Sequence, residues 1–244
     1  MKKALEFMKF PLLFVFIGLL LFSACQEDDD NPTPFEKGTL TDIDGNVYTT
    51  IKIGNQWWMM ENLRAKTFRD GTPITDGQSA SVWLDTTASY CLFDNNTTAP
   101  GLLYNWKAIS ATQNLAPAGW HIPTDQEWKT LEKYLGMSQS DADRSGWRGT
   151  TEGNELKLPG VTGWSLYADN WPDNSSGFSA AAGGCRLPTA VFGDPALFST
   201  GFWWTSTAKD DTTAYFRYLD YKTSTVFRSA VSKSYGFSVR CVKD

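Results

Sequence analysis

The first 25 residues combine three lysines, a long apolar run and a cysteine. The lysines lie within the first nine residues, the apolar run covers residues 11–24, and Cys25 follows directly. An apolar run of about 14 residues is shorter than the roughly 20 that a membrane-spanning helix needs, but it is typical of a secretory signal peptide. We therefore expect residues 1–24 to be removed after export. The alternatives are an uncleaved anchor and a buried core helix.

The residues around Cys25 resemble the lipobox of bacterial lipoproteins. Residues 21–25 read Leu-Phe-Ser-Ala-Cys, and in such a motif the cysteine is cleaved free and acylated. The acidic run that follows, residues 26–30, resembles the signal that sends Bacteroidetes lipoproteins to the outer face of the outer membrane. Two or three acyl chains hold a protein stably on a membrane. The resemblance implies a lipid anchor at Cys25, a place on the cell surface, and a tether formed by residues 25–37.

The remaining chain, residues 38–244, has the length of one domain. The formal net charge of the sequence is −5, and no lysine- and arginine-rich patch follows the leader. Nucleic-acid binding needs a basic surface, so we expect no nucleic-acid partner. The 11 tryptophans are unusually many for this length. Tryptophans in such number favour either a core packed with indole rings or an aromatic binding surface.

Short strands joined by tight turns are predicted at both ends of this domain. Within residues 39–62, Asp44-Gly45 and Gly54-Asn55 are favoured two-residue hairpin turns. Towards the C-terminus, the sequence pattern predicts an antiparallel meander of four strands at residues 201–207, 214–221, 225–229 and 236–242.

The clearest helix is predicted at residues 124–135. Thr124 and Glu127 form a capping box, in which each side chain satisfies a backbone amide at the helix start. Gly136 is a typical helix terminator. Long ordered loops are expected at residues 70–98 and 136–184. The domain is therefore predicted to be α+β, with antiparallel sheets, one clear helix and long loops.

Three cysteines remain when Cys25 carries lipid, namely Cys91, Cys185 and Cys241. An exported protein folds in an oxidising compartment, where one disulfide and one spare thiol are possible. The sequence leaves the pairing open. We prefer Cys91–Cys241, because Cys241 lies on the inward-facing side of its predicted strand.

Four sequence blocks carry a family resemblance. They are residues 44–48 (DGNVY) with 56–63 (QWWMMENL), residues 103–106 (LYNW), residues 119–128 (GWHIPTDQEW), and residues 174–179 (NSSGFS) with 202–207 (FWWTST) and 236–244 (GFSVRCVKD). In this order they resemble the Fibrobacter succinogenes major paralogous domain, a family of secreted bacterial proteins without a settled function. That family is similar to the C-type-lectin-like fold and to formylglycine-generating enzymes. The resemblance implies a C-type-lectin-like domain over residues 38–244.

Aromatic side chains are the main candidate ligand-binding residues. Adjacent Trp203 and Trp204 must point to opposite faces of their strand. One can therefore fill the core, and the other must be covered by another part of the protein or by a ligand. We include Trp203 in the candidate site for this reason. The loop-rich stretch, where lectin-like folds usually bind, adds four further aromatic candidates: Trp147, Trp164, Tyr167 and Trp171. The alternative for each is core packing.

Residues 171–174, Trp-Pro-Asp-Asn, superficially resemble a calcium-site segment of C-type lectins. Asp169, Asp173 and Asn174 could supply oxygen ligands to Ca²⁺, which takes six to eight of them. The sequence contains no Glu-Pro-Asn partner segment. A turn is the favoured interpretation, and we expect no cofactor.

A catalytic centre is not favoured by the sequence. His121 is the single histidine, so a zinc site is not expected, and we interpret His121 as a hydrogen-bonded structural residue. A Cys185 nucleophile would need a neighbouring base to lower its pKa. Carboxylates such as Asp173 and Asp194 are the remaining candidates for a hydrolytic enzyme.

The sequence thus predicts a non-catalytic, surface-exposed lipoprotein that binds glycan through aromatic-rich loops. A protein-interaction or adhesin module is the competing binding hypothesis. An enzyme of unknown reaction is the competing catalytic hypothesis.

Overall fold

The computed structural model describes residues 35–85, 87–160, 164, 171–193 and 199–244. The strands are β1 Lys37–Thr41, β2 Val47–Ile53, β3 Gln56–Met59, β4 Thr75–Asp76, β5 Ser89–Cys91, β6 Leu103–Asn105, β7 Trp120–His121, β8 Gly146–Arg148, β9 Cys185–Arg186, β10 Phe192–Gly193, β11 Thr200–Ala208, β12 Thr213–Asp220, β13 Val226–Ser232, β14 Gly236–Phe237 and β15 Val242–Lys243. The helices are α1 Ala80–Leu84, α2 Trp106–Ile109, α3 Asp125–Tyr134, α4 Gln139–Asp143 and α5 Glu152–Leu156.

Several sequence predictions fall on residues outside the described ranges. These are the leader, Cys25 and most of the tether, the candidate aromatic residue Tyr167, and the candidate carboxylates Asp169 and Asp194. They stay predictions.

Helix α3 confirms the clearest helix prediction. The Thr124 hydroxyl accepts from the Glu127 amide at 3.2 Å, and the Glu127 carboxylate accepts from the Thr124 amide at 2.7 Å, which completes the capping box. Gly136 has a φ of +113°, the left-handed region that favours glycine at a helix end. Across the described ranges, no helix has the length and apolar character needed to cross a membrane.

The predicted long loops contain more regular structure than the sequence indicated. Residues 136–184 include α4, α5 and β8, and residues 70–98 include α1, β4 and β5. Each of these elements has five residues or fewer. Elements this short show no helical or strand periodicity, which explains why the pattern missed them.

The strands form three sheets. Their orders are β1-β2-β3-β15-β7, β10-β9-β14-β6-β5-β4 and β11-β12-β13-β8. Within these sheets only the pair β4–β5 is parallel among the described strands. The α+β class with antiparallel sheets is therefore confirmed.

Both predicted N-terminal hairpins form, but one turn is wider than expected. Gly54-Asn55 is a two-residue turn between the paired residues Ile53 and Gln56. The Asp44-Gly45 turn instead lies in a longer loop between Thr41 and Val47. Asp42 stabilises this loop, because its side chain accepts from the amides of two loop residues at 2.9 and 3.0 Å. The prediction of a two-residue turn at Asp44-Gly45 was wrong.

The C-terminal meander has three strands instead of the predicted four. Strands β11, β12 and β13 pair in order, and β8 follows them at the edge. The fourth predicted strand divides: β14 pairs with β6 and β9, whereas β15 pairs with β3 and β7. Between them Arg240 is fully buried. Its guanidinium donates to Asn62 Oδ1 at 2.9 Å and to the Ser179 carbonyl at 2.7 Å, which ties this segment into the core.

The preferred Cys91–Cys241 disulfide does not form. Both side chains are buried free thiols, and they lie in two different hydrophobic clusters. Cys241 does point inward as expected, but apolar neighbours surround it. Burial raises the pKa of Cys91 to about 11. The Cys185 thiol donates to the Gly193 carbonyl at 3.8 Å.

A buried ion cluster joins α3 to the sheet β11-β12-β13-β8. Its members are Asp125 and Glu132 on α3 with Arg148, Arg217 and Arg228 on the sheet. Glu132 accepts from Arg148 at 2.8 and 2.9 Å and from Arg217 at 2.6 Å. Asp125 accepts from Arg228 at 2.7 and 2.8 Å and from Arg217 at 2.7 Å. Burial opposes ionisation of Asp125, but the guanidinium groups outweigh it and lower its pKa.

We predict that Glu132→Gln lowers the free energy of unfolding by about 3–5 kcal/mol, because it leaves two buried guanidinium groups short of a counter-charge. Urea unfolding followed by circular dichroism measures this change. Asp141→Asn is the matched control, since the Asp141 carboxylate is near the surface, where it pairs with Arg144 and accepts from the Ser138 hydroxyl, and its cost should stay below about 1 kcal/mol. Equal losses in the two variants would contradict a stabilising role of the ion cluster.

Candidate functional site

An aromatic side chain from each strand of the sheet β11-β12-β13-β8 lies in one line. Phe202 pairs with Tyr218, Tyr218 with Phe227, and Phe227 with Trp147. We call these four residues the aromatic row. Side chains alternate along a strand, so the row points away from the face that carries Arg217 and Arg228. The sheet thus presents an ionic face to α3 and an aromatic face on its other side.

Ring contacts hold the aromatic row in a fixed arrangement. Phe202 and Tyr218 stack with centroids 4.5 Å apart and planes 3° apart. The Trp147 indole lies 5.0 Å from Tyr218 and 5.2 Å from Phe227, tilted against both. Trp147 is nevertheless 40% exposed, whereas the other three are partly buried. The row therefore ends in a supported but accessible indole on the edge strand β8.

Hydrogen-bonding groups lie beside the aromatic row. The Tyr218 hydroxyl donates to Asp220 Oδ2 at 2.5 Å, and Asp220 Oδ1 accepts from the Lys222 amide at 2.8 Å. Asp220 is two residues beyond Tyr218 on β12 and therefore shares its face of the sheet. An aromatic ring can pack on the apolar C–H face of a sugar, and a carboxylate beside it can accept from the sugar hydroxyls.

Two predicted site residues belong to the core. Trp164 and Trp203 are fully buried. The Trp164 indole donates to the Ala180 carbonyl at 2.7 Å, and the Trp203 indole donates to Asn62 Oδ1 at 2.9 Å. Trp204 is also buried, on the opposite face, so protein covers both neighbours and neither needs a ligand. The assignment of Trp164 and Trp203 to a ligand site was wrong.

The predicted residues around Asn174 form a turn. The Asp173 carboxylate accepts from the Ser175 amide at 2.9 Å. The Asn174 side chain accepts from the Ser179 amide at 2.7 Å and donates to its hydroxyl at 3.0 Å. Trp171 is 62% exposed, with no ring contact to the aromatic row. In the described ranges, no three metal-ligating side chains come together. The turn interpretation is confirmed for Asp173 and Asn174.

His121 has the structural role expected of it. Nδ1 lies 2.6 Å from Asp244 Oδ1, and Nε2 lies 2.7 Å from Glu127 Oε1. Burial opposes protonation, but the two carboxylates outweigh it and raise the pKa of His121. Both ring nitrogens are occupied, so His121 is not placed as a base for Cys185.

Sequence reasoning missed Phe202, Tyr218 and Phe227. Each lies in a strand that the sequence predicted, and each alternates with buried residues in that strand. This alternation was the available signal. The register that brings the three residues beside Trp147 was not visible in any single strand.

The fold and the aromatic row define an α+β domain with three sheets, one of which ends in an exposed tryptophan. Residues 51–243 match the Fibrobacter succinogenes major domain. The chain belongs to this family, which confirms the resemblance found in the sequence. Searches among curated proteins and among solved structures gave no match.

The His121 geometry predicts a pH-dependent contribution to stability. The folded-state pKa is raised above the unfolded value, so the stabilisation is complete below about pH 6.5 and is lost as the pH rises through the folded-state pKa. The difference in unfolding free energy between the native protein and His121→Gln should therefore shrink as the pH rises above about 6.5. We expect at most about 1 kcal/mol, because the ring and Asp244 are partly exposed.

Urea titrations at several pH values measure this difference. Lys133→Gln is the control, because it removes a charge from α3 at a side chain that donates to Gln139 Oε1 at 2.8 Å and forms no pair with His121. A difference that grows with pH would contradict the two-carboxylate geometry around His121.

Proposed function

We propose that this chain is a non-catalytic surface lipoprotein that binds glycan through Trp147 and the aromatic row. The observation that carries the proposal is a 40% exposed indole held by two neighbouring rings. An indole that is already fixed loses little conformational freedom when a ligand stacks on it. The proposed binding surface thus keeps Trp147 from the four loop candidates and adds Phe202, Tyr218 and Phe227.

The size of the exposed apolar surface favours a glycan over a protein partner. Stable protein interfaces bury about 1,200–2,000 Å² in total. Within the row, Trp147 alone is exposed, and it stands on an edge strand of three residues. The hydroxyl of Tyr218 and the carboxylate of Asp220 add polar groups of the kind that sugar hydroxyls engage.

We also propose that the fold is a variant of the C-type-lectin-like fold. Two features support this proposal: the capped helix α3, and the closing strand β15 paired beside β3. The long stretches between the sheets are consistent with such a domain. This assignment is based on fold-level similarity and does not by itself indicate a ligand.

We predict that Trp147→Ala weakens retention on an immobilised polysaccharide by about tenfold or more, since aromatic contacts dominate sugar binding of this kind. Affinity electrophoresis against cellulose derivatives, xylan, mannan and chitin measures the retention. Trp147→Phe should keep much of it. Trp171→Ala is the matched control, because Trp171 is exposed but does not contact the aromatic row. EDTA should leave the retention unchanged.

Three outcomes would contradict this proposal. Retention that falls equally in Trp147→Ala and Trp171→Ala would mean that the row is not the site. No retention by any polysaccharide, together with specific capture of a surface protein, would favour an adhesin module. Turnover of any tested polysaccharide would favour an enzyme.

We predict that the native protein carries fatty acid at Cys25. Mass spectrometry of the N-terminal peptide should show the acyl mass, and globomycin should cause the unprocessed precursor to accumulate. Cys25→Ser should abolish both the acylation and the membrane association. A native chain that begins at Met1 without lipid would contradict the anchor.

A further inference from the structure

Lys157 is a fully buried cation that lies directly after helix α5. Lysine is almost never fully buried unless it is paired. In the described part of the chain its ammonium donates to two neutral oxygens, Asn154 Oδ1 at 3.2 Å and the Thr223 carbonyl at 2.5 Å. It also lies 5.2 Å from the centre of the Trp164 ring. By contrast, the partly buried Lys129 pairs with a carboxylate at 2.8 Å.

The burial of Lys157 is unfavourable for its charge. Burial lowers the pKa of the ammonium from its ordinary value of 10.5 to about 8, and the attraction of Asp220 opposes this shift. The charged form is therefore less favourable in the folded protein than in the unfolded chain. Buried charges of this kind are found preferentially at functional sites. Stability alone does not explain a lysine at this position.

The ammonium of Lys157 helps to hold the turn between β12 and β13. Helix α5 and the residues before it contact this turn at two further points. The Gly153 amide donates to the Ser224 carbonyl at 2.7 Å, and the Ser224 hydroxyl donates to the Thr150 carbonyl at 2.5 Å. A Cβ at position 153 would clash with the Ser224 carbonyl, so only glycine allows this close approach. The Thr223 carbonyl bound by Lys157 is the third point.

The same turn follows Asp220, the carboxylate beside the aromatic row. Asp220 accepts from the Tyr218 hydroxyl and from the Lys222 amide in the turn. Lys157 thus binds the turn three residues beyond Asp220 and also attracts its carboxylate. Tyr218 in turn contacts the exposed Trp147 indole. The buried ammonium is therefore linked to the polar and the aromatic groups of the proposed glycan site.

We propose that Lys157 is a positioning residue of this site. Its ammonium holds the β12–β13 turn so that Asp220 and Tyr218 present their oxygen atoms to a sugar that stacks on Trp147. Lys157 itself does not meet the sugar, because it is fully buried. This inference rests on the glycan function proposed above.

Lys157→Met tests the proposal, because it keeps a long side chain and removes the charge and the donor hydrogens. At pH 7 it should weaken retention on the polysaccharide that retains the native protein by about fivefold or more, the effect of one lost hydrogen bond to a charged group. The free energy of unfolding in urea should stay the same or rise, because a buried charge is removed. Lys129→Met is the matched control on α3 and should leave the retention unchanged.

The pH dependence of the native protein is a second measurement, which needs no folded variant. Between pH 7 and pH 9 its retention should fall towards that of Lys157→Met, because Lys157 loses its charge at about pH 8. The described elements around Lys157 carry five other charged groups: Glu152 and Glu155 on α5, Asp173 in the adjacent loop, Asp220 on β12 and Lys222 in the turn. Carboxylates and lysines ordinarily keep their charge over this range.

Stability should change in the opposite direction to retention. Above about pH 8 the unfolded chain binds the Lys157 proton and the folded protein does not. The unfolding free energy of the native protein, relative to that of Lys157→Met, should therefore rise with pH. A residue that only supports the fold would make retention and stability fall together.

Four outcomes would overturn this inference. Equal retention of Lys157→Met and the native protein would overturn it and leave the glycan function standing. Losses of retention and of unfolding free energy in parallel would reduce Lys157 to a structural residue. A native retention that is constant from pH 7 to pH 9 would also overturn it, whether or not the variant folds. A native protein that no polysaccharide retains would overturn the glycan function as well.

Discussion

The ion cluster between α3 and the sheet β11-β12-β13-β8 determines how the two faces of this sheet are used. Arg217 and Arg228 are direct cross-strand neighbours, and like charges in such positions repel each other. Asp125 lies between them and binds both. A buried ion pair is not a strong source of stability compared with apolar packing. Its geometry, however, allows α3 to dock on one face of the sheet in one orientation.

This docking has a consequence for the opposite face. When Arg217 points towards α3, the adjacent Tyr218 must point away, and the same applies to Phe227 beside Arg228. The aromatic row is therefore coupled to the ion cluster by strand alternation alone. Contacts with Tyr218 and Phe227 then support Trp147 at the sheet edge. The accessible indole is thus packed against two neighbouring rings, as the proposed stacking on a ligand requires.

Local signals in the sequence predicted local structure well. The Thr124–Glu127 capping box, the Gly54-Asn55 turn and three strands of the meander are all present. The errors concern contacts between residues far apart in the chain. Trp203 and Trp204 are both buried by protein, so neither is free for a ligand. Cys91 and Cys241 lie in separate hydrophobic clusters and form no disulfide. The aromatic row depends on the register of four strands. This arrangement is not encoded in any one segment.

The central claim is that Trp147 meets the ligand on a surface that is already formed. Nuclear magnetic resonance of the protein with the polysaccharide fragment that it retains most strongly tests this claim directly. We expect intermolecular Overhauser contacts from sugar C–H protons to the Trp147 indole, with the ring contacts to Tyr218 and Phe227 unchanged on binding. Sugar contacts confined to other residues, or a Trp147 ring that leaves Tyr218 and Phe227 when the ligand binds, would contradict it.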